Sequence, residues 1–237
     1  MPHISKSQLI YALGATVVVL VALAAYFLSP QLPFGTNEPE QAAKPSVPVR
    51  TETLTEETDA YSIEMKYPQF DIPLIDAKIK AGVDAFVEDF KKEASAKKES
   101  EALYELTSDF AGTYMDADIV STRLSVSRFT GGAHPGTMIY GLNYARATGK
   151  EIGLKSVLTL IGATLQQVSD YSTQTLKEKL GDAFIAKGAL PTEENYWMYS
   201  INDKGVTFIF NEYQVAPYSE GPQRVSFARA VSEETSE

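Results

Sequence analysis

The spacing of apolar and polar residues changes several times along the chain, and each change predicts a different element. Leu9 to Leu28 is a run of 20 residues without a charge, which as a helix reaches about 30 Å, the thickness of a bilayer's hydrocarbon core. Tyr11 and Tyr26 lie near its ends, where amphipathic rings favour the interface. Lys6 precedes the run, and no Lys or Arg follows until Lys44. That asymmetry predicts a single-pass membrane protein with a cytoplasmic N-terminus and an extracytoplasmic remainder. Ala22-Leu23-Ala24 is a rival signal-cleavage site, but Tyr26-Phe27-Leu28 continue the apolar run beyond it.

From Ser29 to about Asp59 the periodicity disappears among five prolines, which predicts a flexible tether without a core. Alternation then begins. Tyr61 to Tyr67 reads as a half-buried strand ended by Pro68. Ile75, Ile79, Val83, Val87 and Phe90 recur at three- and four-residue steps, predicting a helix from Pro73 to about Lys98 with Pro73 in its first turn. Leu103–Tyr114, Ala117–Phe129 and Thr137–Ala147 alternate with period two and predict an antiparallel meander, with a one-residue slip near Ser121. A second helical stretch covers about Ser156 to Ala186, with a break near Gly162. Trp197–Ile201, Val206–Phe210 and Arg224–Phe227 read as short strands, the first two joined by a hairpin turn at Asn202-Asp203-Lys204-Gly205.

The predicted class is α+β: antiparallel sheet packed with two main amphipathic helices, behind a transmembrane helix and a Pro-rich tether. The expected divisions are a cytoplasmic stub at 1–8, the anchor at 9–28, the tether at 29–59, a helix-plus-strands region at 60–130, a C-terminal region at 131–229 and a disordered tail at 230–237.

Composition narrows the chemistry. The chain has no cysteine, which excludes disulfides, thiol catalysis and thiolate metal sites. It has two histidines, and only His134 lies beyond the predicted anchor, so no site built on several histidines is expected. No cofactor or metal is expected either. All 31 acidic residues but only 20 of the 21 basic ones lie beyond Leu28, a net charge of −11 for the outer part. That argues against nucleic acid as a partner and for basic proteins.

Two segments stand out as candidate partner-binding loops. Gly131-Gly-Ala-His-Pro-Gly136 reads as a hairpin connection carrying His134, and it lacks the Gly-Lys-Ser/Thr of a phosphate loop. Phe208 to Pro222 carries Tyr213 and Tyr218, residues that combine contact area with a polar tip. Loop-side carboxylates (Glu64, Asp71, Asp116, Asp118, Glu151, Glu193, Glu194 and Glu212) leave open a glycoside hydrolase acting through a carboxylate pair. There is no Gly-x-Ser-x-Gly, and Ser95-Ala-Lys-Lys98, which fits Ser-x-x-Lys, sits at a charged helix end without partner boxes and is set aside.

In order along the chain, Gly131-Gly-Ala-His134, Thr148-Gly149-Lys150, Ile152-x-Leu154 and Phe210-x-x-Tyr213-x-Val215-Ala-Pro-Tyr218-x-x-Gly221 resemble the domain of unknown function 3298. Tyr67-Pro68 and the amphipathic helix resemble the domain that commonly precedes it, and together the two cover about Tyr61 to Phe227. Such pairs form the extracytoplasmic part of lysozyme-sensing anti-sigma-V factors and accompany peptidoglycan deacetylase domains. The resemblance implies an α+β fold and a binding role, with a lysozyme-like protein or cell-wall glycan as ligand; it assigns no individual contact residue. Eight residues before the span are too few to hold a sigma factor, and no deacetylase domain is recognised after the last strand. The expectation is therefore a non-catalytic envelope binding domain. The alternatives are the peptidoglycan hydrolase and an accessory subunit docked to another membrane protein.

Overall fold

The computed structural model describes residues 49–98 and 102–230. The predicted anchor at 9–28, its stub, the tether up to residue 48 and the tail from residue 231 lie outside the described residues. Among the described residues no helix is long and apolar enough to cross a membrane.

The described residues fold into two sheets and three α-helices. The first sheet has the order β1-β2-β3-β4-β5, formed by Arg50–Glu57, Tyr61–Gln69, Tyr104–Met115, Ile119–Phe129 and Gly136–Ala145. The second is a three-stranded antiparallel sheet, β6 (Tyr199–Ile201), β7 (Gly205–Phe210) and β8 (Gln223–Ala228). Helix α1 is Pro73–Ala94, α2 is Leu154–Ile161 and α3 is Leu165–Leu180.

The α+β class holds, with two corrections to the expected architecture. The five-stranded sheet is mixed, because β2 pairs with β3 in parallel. Helix α1 is the crossover that carries the chain back to the starting end, which a tight turn cannot do. Among the described residues there are three α-helices where two main ones were expected: the break expected near Gly162 is complete, since Gly162 (φ 63°) ends α2 in a left-handed cap and Thr164 starts α3 with a capping box to Gln167.

The tether is also shorter than expected. Arg50–Glu57 is an antiparallel edge strand, in register with β2 from Arg50↔Gln69 to Glu57↔Ser62. Its one apolar side chain, Leu54, packs on the core, and Glu56 holds the Lys91 ammonium of α1 and accepts from the Tyr61 hydroxyl at 2.5 Å. Pro68 does not end β2, which runs to Gln69. The β2–β3 ladder stops at Met65↔Ser108, so the proline sits where only β1 flanks the strand and its missing N–H removes no bond to β3. A boundary at 130/131 cuts the β4–β5 hairpin; by sheet membership the first half extends through Ala145.

Helix α1 ends at Ala94 rather than near Lys98, because its apolar stripe of Ile75, Ile79, Val83, Val87 and Phe90 ends with Ala94. Asp76 accepts the Phe70 and Ile72 amides at 2.8 and 3.0 Å and fixes the approach to the helix. The stripe packs on Ile63, Met65, Tyr67, Leu106, Leu124 and Val126 from one face of the sheet. Each such side chain contributes about 1.5–3 kcal/mol when fully buried. Strand β4 pairs with β5 in an unbroken register from Ile119↔Ala145 to Arg128↔Gly136. The irregularity lies opposite, in β3 between Ala111 and Tyr114, where Gly112 (φ 64°) leaves room for the Arg123 guanidinium.

The second sheet packs its Phe208, Phe210, Val225 and Phe227 against Val157, Ile161, Val168 and Leu176 of α2 and α3. Its other side rests on β5 through Ile209, Met198 and Ile139. Polar groups tie this junction: Asn143 Nδ2 donates to the Tyr199 carbonyl, Ser121 Oγ accepts from the Ile201 amide, and Asn211 bonds both the amide and carbonyl of Ile139. The backbones approach so closely at Gly141 that any Cβ would lie 1.7 Å from the Tyr199 carbonyl oxygen.

Candidate functional site

The two loops singled out in the sequence meet in the fold. The first is the β4–β5 connection, where Gly131 (φ 91°) and Gly132 (φ 113°) take backbone conformations open to glycine. They leave His134 exposed at the hairpin tip. Its Nδ1 lies 2.9 Å from the Pro135 carbonyl oxygen. A carbonyl only accepts, so Nδ1 carries the proton in that bond, and Nε2 faces the Tyr213 hydroxyl at 3.5 Å.

The second loop follows β7. Asn211 anchors its start on Ile139, and Glu212 Oε2 accepts the Thr137 amide at 3.2 Å. Gln214 clamps the far side, donating to the Gly188 and Asn195 carbonyls and accepting the Asn211 amide. Val215 and Ala216 are buried behind it. Between these anchors Tyr213 is held at φ 64°, a left-handed conformation that costs a side chain of this size about 1–2 kcal/mol. The strain directs its ring outward, where the residue is 60% exposed.

The three predicted residues therefore form one cluster. The His134 and Tyr218 rings stack with centroids 3.9 Å apart and planes 21° apart; Tyr213 and Tyr218 stack at 5.7 Å and 30°. The Tyr218 hydroxyl reaches the Pro135 carbonyl at 3.5 Å. The recorded contacts of the imidazole nitrogens are a backbone carbonyl and a phenol, without a carboxylate to orient the ring for proton transfer. Stacked, partly exposed rings with polar tips offer contact area at small entropic cost, which is the chemistry of recognition.

The loop carboxylates are arranged differently. Glu64 pairs with Lys66 at 2.8 Å and Asp71 with Arg50 at 2.6 Å. Burial pushes the Asp116 carboxyl up, but the Tyr114 hydroxyl and the Asp118 and Ile119 amides outweigh it and hold the group below the usual carboxylate range. Glu56, also exposed to Lys91 and Tyr61, is likewise lowered. A general acid in glycoside hydrolysis needs the opposite displacement. Among the described residues no group of three or more His, Asp or Glu side chains is placed to hold a metal ion.

A further feature had no sequence signal. The face of the first sheet opposite α1 is covered by the second sheet only near β4 and β5. Its open part forms a shallow concavity of about 250 Å³ lined by Glu64, Lys66, Thr107, Ser108, Asp109, Ser125 and Ser127. In sequence all of these but Ser108 belong to the polar half of ordinary strand alternation, which reads as a solvated face; Ser108 falls on the buried half, where its hydroxyl donates to the Lys66 carbonyl.

Comparison with known proteins finds two successive matches, the first ending inside β5 and the second running from inside α2 through α3 and the second sheet. Residues 54–137 match the family described as deacetylase PdaC, and residues 158–230 match the protein family of unknown function DUF3298. The chain carries a PdaC domain followed by a DUF3298 domain. His134 lies in the PdaC match, whereas Tyr213 and Tyr218 lie in the DUF3298 match, so the ring cluster is assembled from both. The peptidoglycan-N-acetylmuramic acid deacetylase PdaC of Bacillus subtilis (strain 168) is 22% identical over 189 residues, covering 77% of this chain and 40% of the relative. This chain thus spans about two fifths of that protein. A DUF3298 family protein from Pseudomonas aeruginosa PAO1 shares the fold, with a TM-score of 0.51 at 17% identity over 76% of this chain and 91% of that one. A DUF3298 family member from Bacteroides fragilis NCTC 9343 superposes with a TM-score of 0.48 at 18% identity, covering 77% of this chain and 90% of that one.

Proposed function

We propose that this chain is a non-catalytic binding module of the bacterial cell envelope. In this reading residues 9–28 anchor it in the membrane and its folded part stands outside. The His134–Tyr213–Tyr218 cluster is its contact surface, and the partner is a basic envelope protein of the lysozyme type. The observation that carries the reading is the cluster itself: three rings from two distant loops, one of them held in a costly backbone conformation with its ring exposed. Strain kept at an exposed aromatic residue is characteristic of binding sites. The deacetylase relative associates the PdaC and DUF3298 pair with the cell wall. The net charge of −10 favours a cationic partner and speeds its encounter.

The test is calorimetric titration of the full-length chain with a c-type lysozyme at low and high salt. One-to-one binding that persists at high salt is expected, because stacked rings are not screened as surface charges are. Replacing His134, Tyr213 and Tyr218 together by alanine should weaken it by at least about tenfold. Heat that disappears with salt, or affinity unchanged in the triple variant, overturns the proposal.

A further inference from the structure

The concavity on the open part of the five-stranded sheet is a second site, separate from the three rings. Strand register places Glu64 opposite Thr107, Thr107 opposite Ser127 and Ser127 opposite Thr137. These four polar side chains form one row across β2, β3, β4 and β5, and at about 4.8 Å per strand the row is roughly 14 Å long. Asp109 opposite Ser125 begins a parallel row beside it. The loop after β7 meets the end of the first row, where Glu212 accepts the Thr137 amide.

The chemistry of the row is specific. Hydroxyls both donate and accept, and Asp109 adds an acceptor. The one ammonium lining the concavity, Lys66, is paired with Glu64, so there is no free cation to draw an anionic ligand. No large apolar side chain lines it, so neither a lipid chain nor an apolar peptide anchor finds a pocket. A peptide added as a strand needs unpaired backbone groups at a sheet edge, whereas this is a sheet face whose backbone is committed to the ladders on both sides. A flat, extended ligand dense in neutral hydroxyls matches what remains. We infer that this groove binds an extended neutral oligosaccharide. The inference goes beyond the protein-binding role of the ring cluster and stands on other residues, so either can fail alone.

Titrating the full-length chain in a sugar-free detergent with chitotetraose tests it, with heat and backbone amide shifts as readouts. Saturable binding with a Kd at or below about 1 mM is expected, with shifts concentrated on β3 and β4. Thr107→Val combined with Ser127→Ala should weaken it at least tenfold while Tyr213→Ala leaves it unchanged. Val is a good strand residue at exposed position 107 and Ala removes only a hydroxyl at half-buried position 127, and an unchanged thermal midpoint would verify that the fold is intact. Absence of saturation, affinity unaffected by the double variant, or loss on Tyr213→Ala alone would each overturn the assignment.

Discussion

The two sheets use their faces differently. In the five-stranded sheet burial alternates: Ile63, Met65 and Tyr67 of β2 are buried against α1, while Ser62, Glu64 and Lys66 reach the other face. In the three-stranded sheet every residue of β6 and β7 is buried. Helices α2 and α3 cover one of its sides, and β5 covers the other. A sheet enclosed on both sides has no face left for a ligand. It acts here as a spacer that projects the Tyr213 loop toward His134. The sheet that keeps one face open supplies the polar row. Both candidate sites therefore adjoin the place where the sheets meet.

The sharpest way to break this arrangement is at Gly141. Gly141→Ala puts a methyl group onto the Tyr199 carbonyl and should cost about 3 kcal/mol or more, or prevent docking of the second sheet altogether. Gly136→Ala, five residues earlier on the same strand and with nothing within 4 Å of its Cβ, should stay within about 0.5 kcal/mol. Denaturant unfolding of the pair checks the contrast, and equal effects would mean that the sheets do not touch as described.

Alkaline pH probes the two cores that flank this junction, Tyr144 in the one under α1 and Tyr199 in the one under α2 and α3. Burial pushes the phenols of Tyr144 on β5 and Tyr199 on β6 up to about 12, with Glu151 adding to the effect in each case. A folded-state value above the unfolded one near 10 contributes stability that is complete below pH 10 and is lost as pH rises toward 12. Each tyrosine should account for about 2–3 kcal/mol of that loss. Urea unfolding at stepped pH should show the decline, and Tyr199→Phe should remove one share of it. A slope identical in wild type and Tyr199→Phe would refute the burial argument.

The smallest effect is expected at the ring cluster and has the opposite sign. Tyr213→Gly relieves the left-handed backbone, and the stability gain should be about 1 kcal/mol or less, partly offset by the freedom glycine gains when unfolded. The same change should weaken lysozyme binding. A variant that is both less stable and fully active would show that the conformation serves folding rather than recognition.

Much of the fold was legible because its elements carry strong periods. The apolar stripe of α1, the alternation in β3 to β5, the Gly162 break and the Asn202–Gly205 hairpin all correspond to elements in the structure. Strand β1 was not legible, since an edge strand with one face in water needs only Leu54 on the core and otherwise looks like a linker. The parallel pairing of β2 and β3 is a matter of connection rather than local period. His134, Tyr213 and Tyr218 were visible as unusual residues in Gly- and Pro-rich loops, but their contact joins positions 79 and 83 residues apart. Thr107, Ser127 and Thr137 become a row only once register is known.

Strand β1 also bears on how the molecule avoids its own copies. Without it, β2 would be outermost, offering a free ladder edge backed by alternating Ile63, Met65 and Tyr67, the pattern on which amyloid-type stacking begins. Instead the sheet ends in Arg-Thr-Glu-Thr-Leu-Thr-Glu-Glu, with three glutamates and a single arginine. A second chain laid in register against that strand would meet rows of like charge. The segment closest to a linker in composition thus guards the assembled sheet against aggregation.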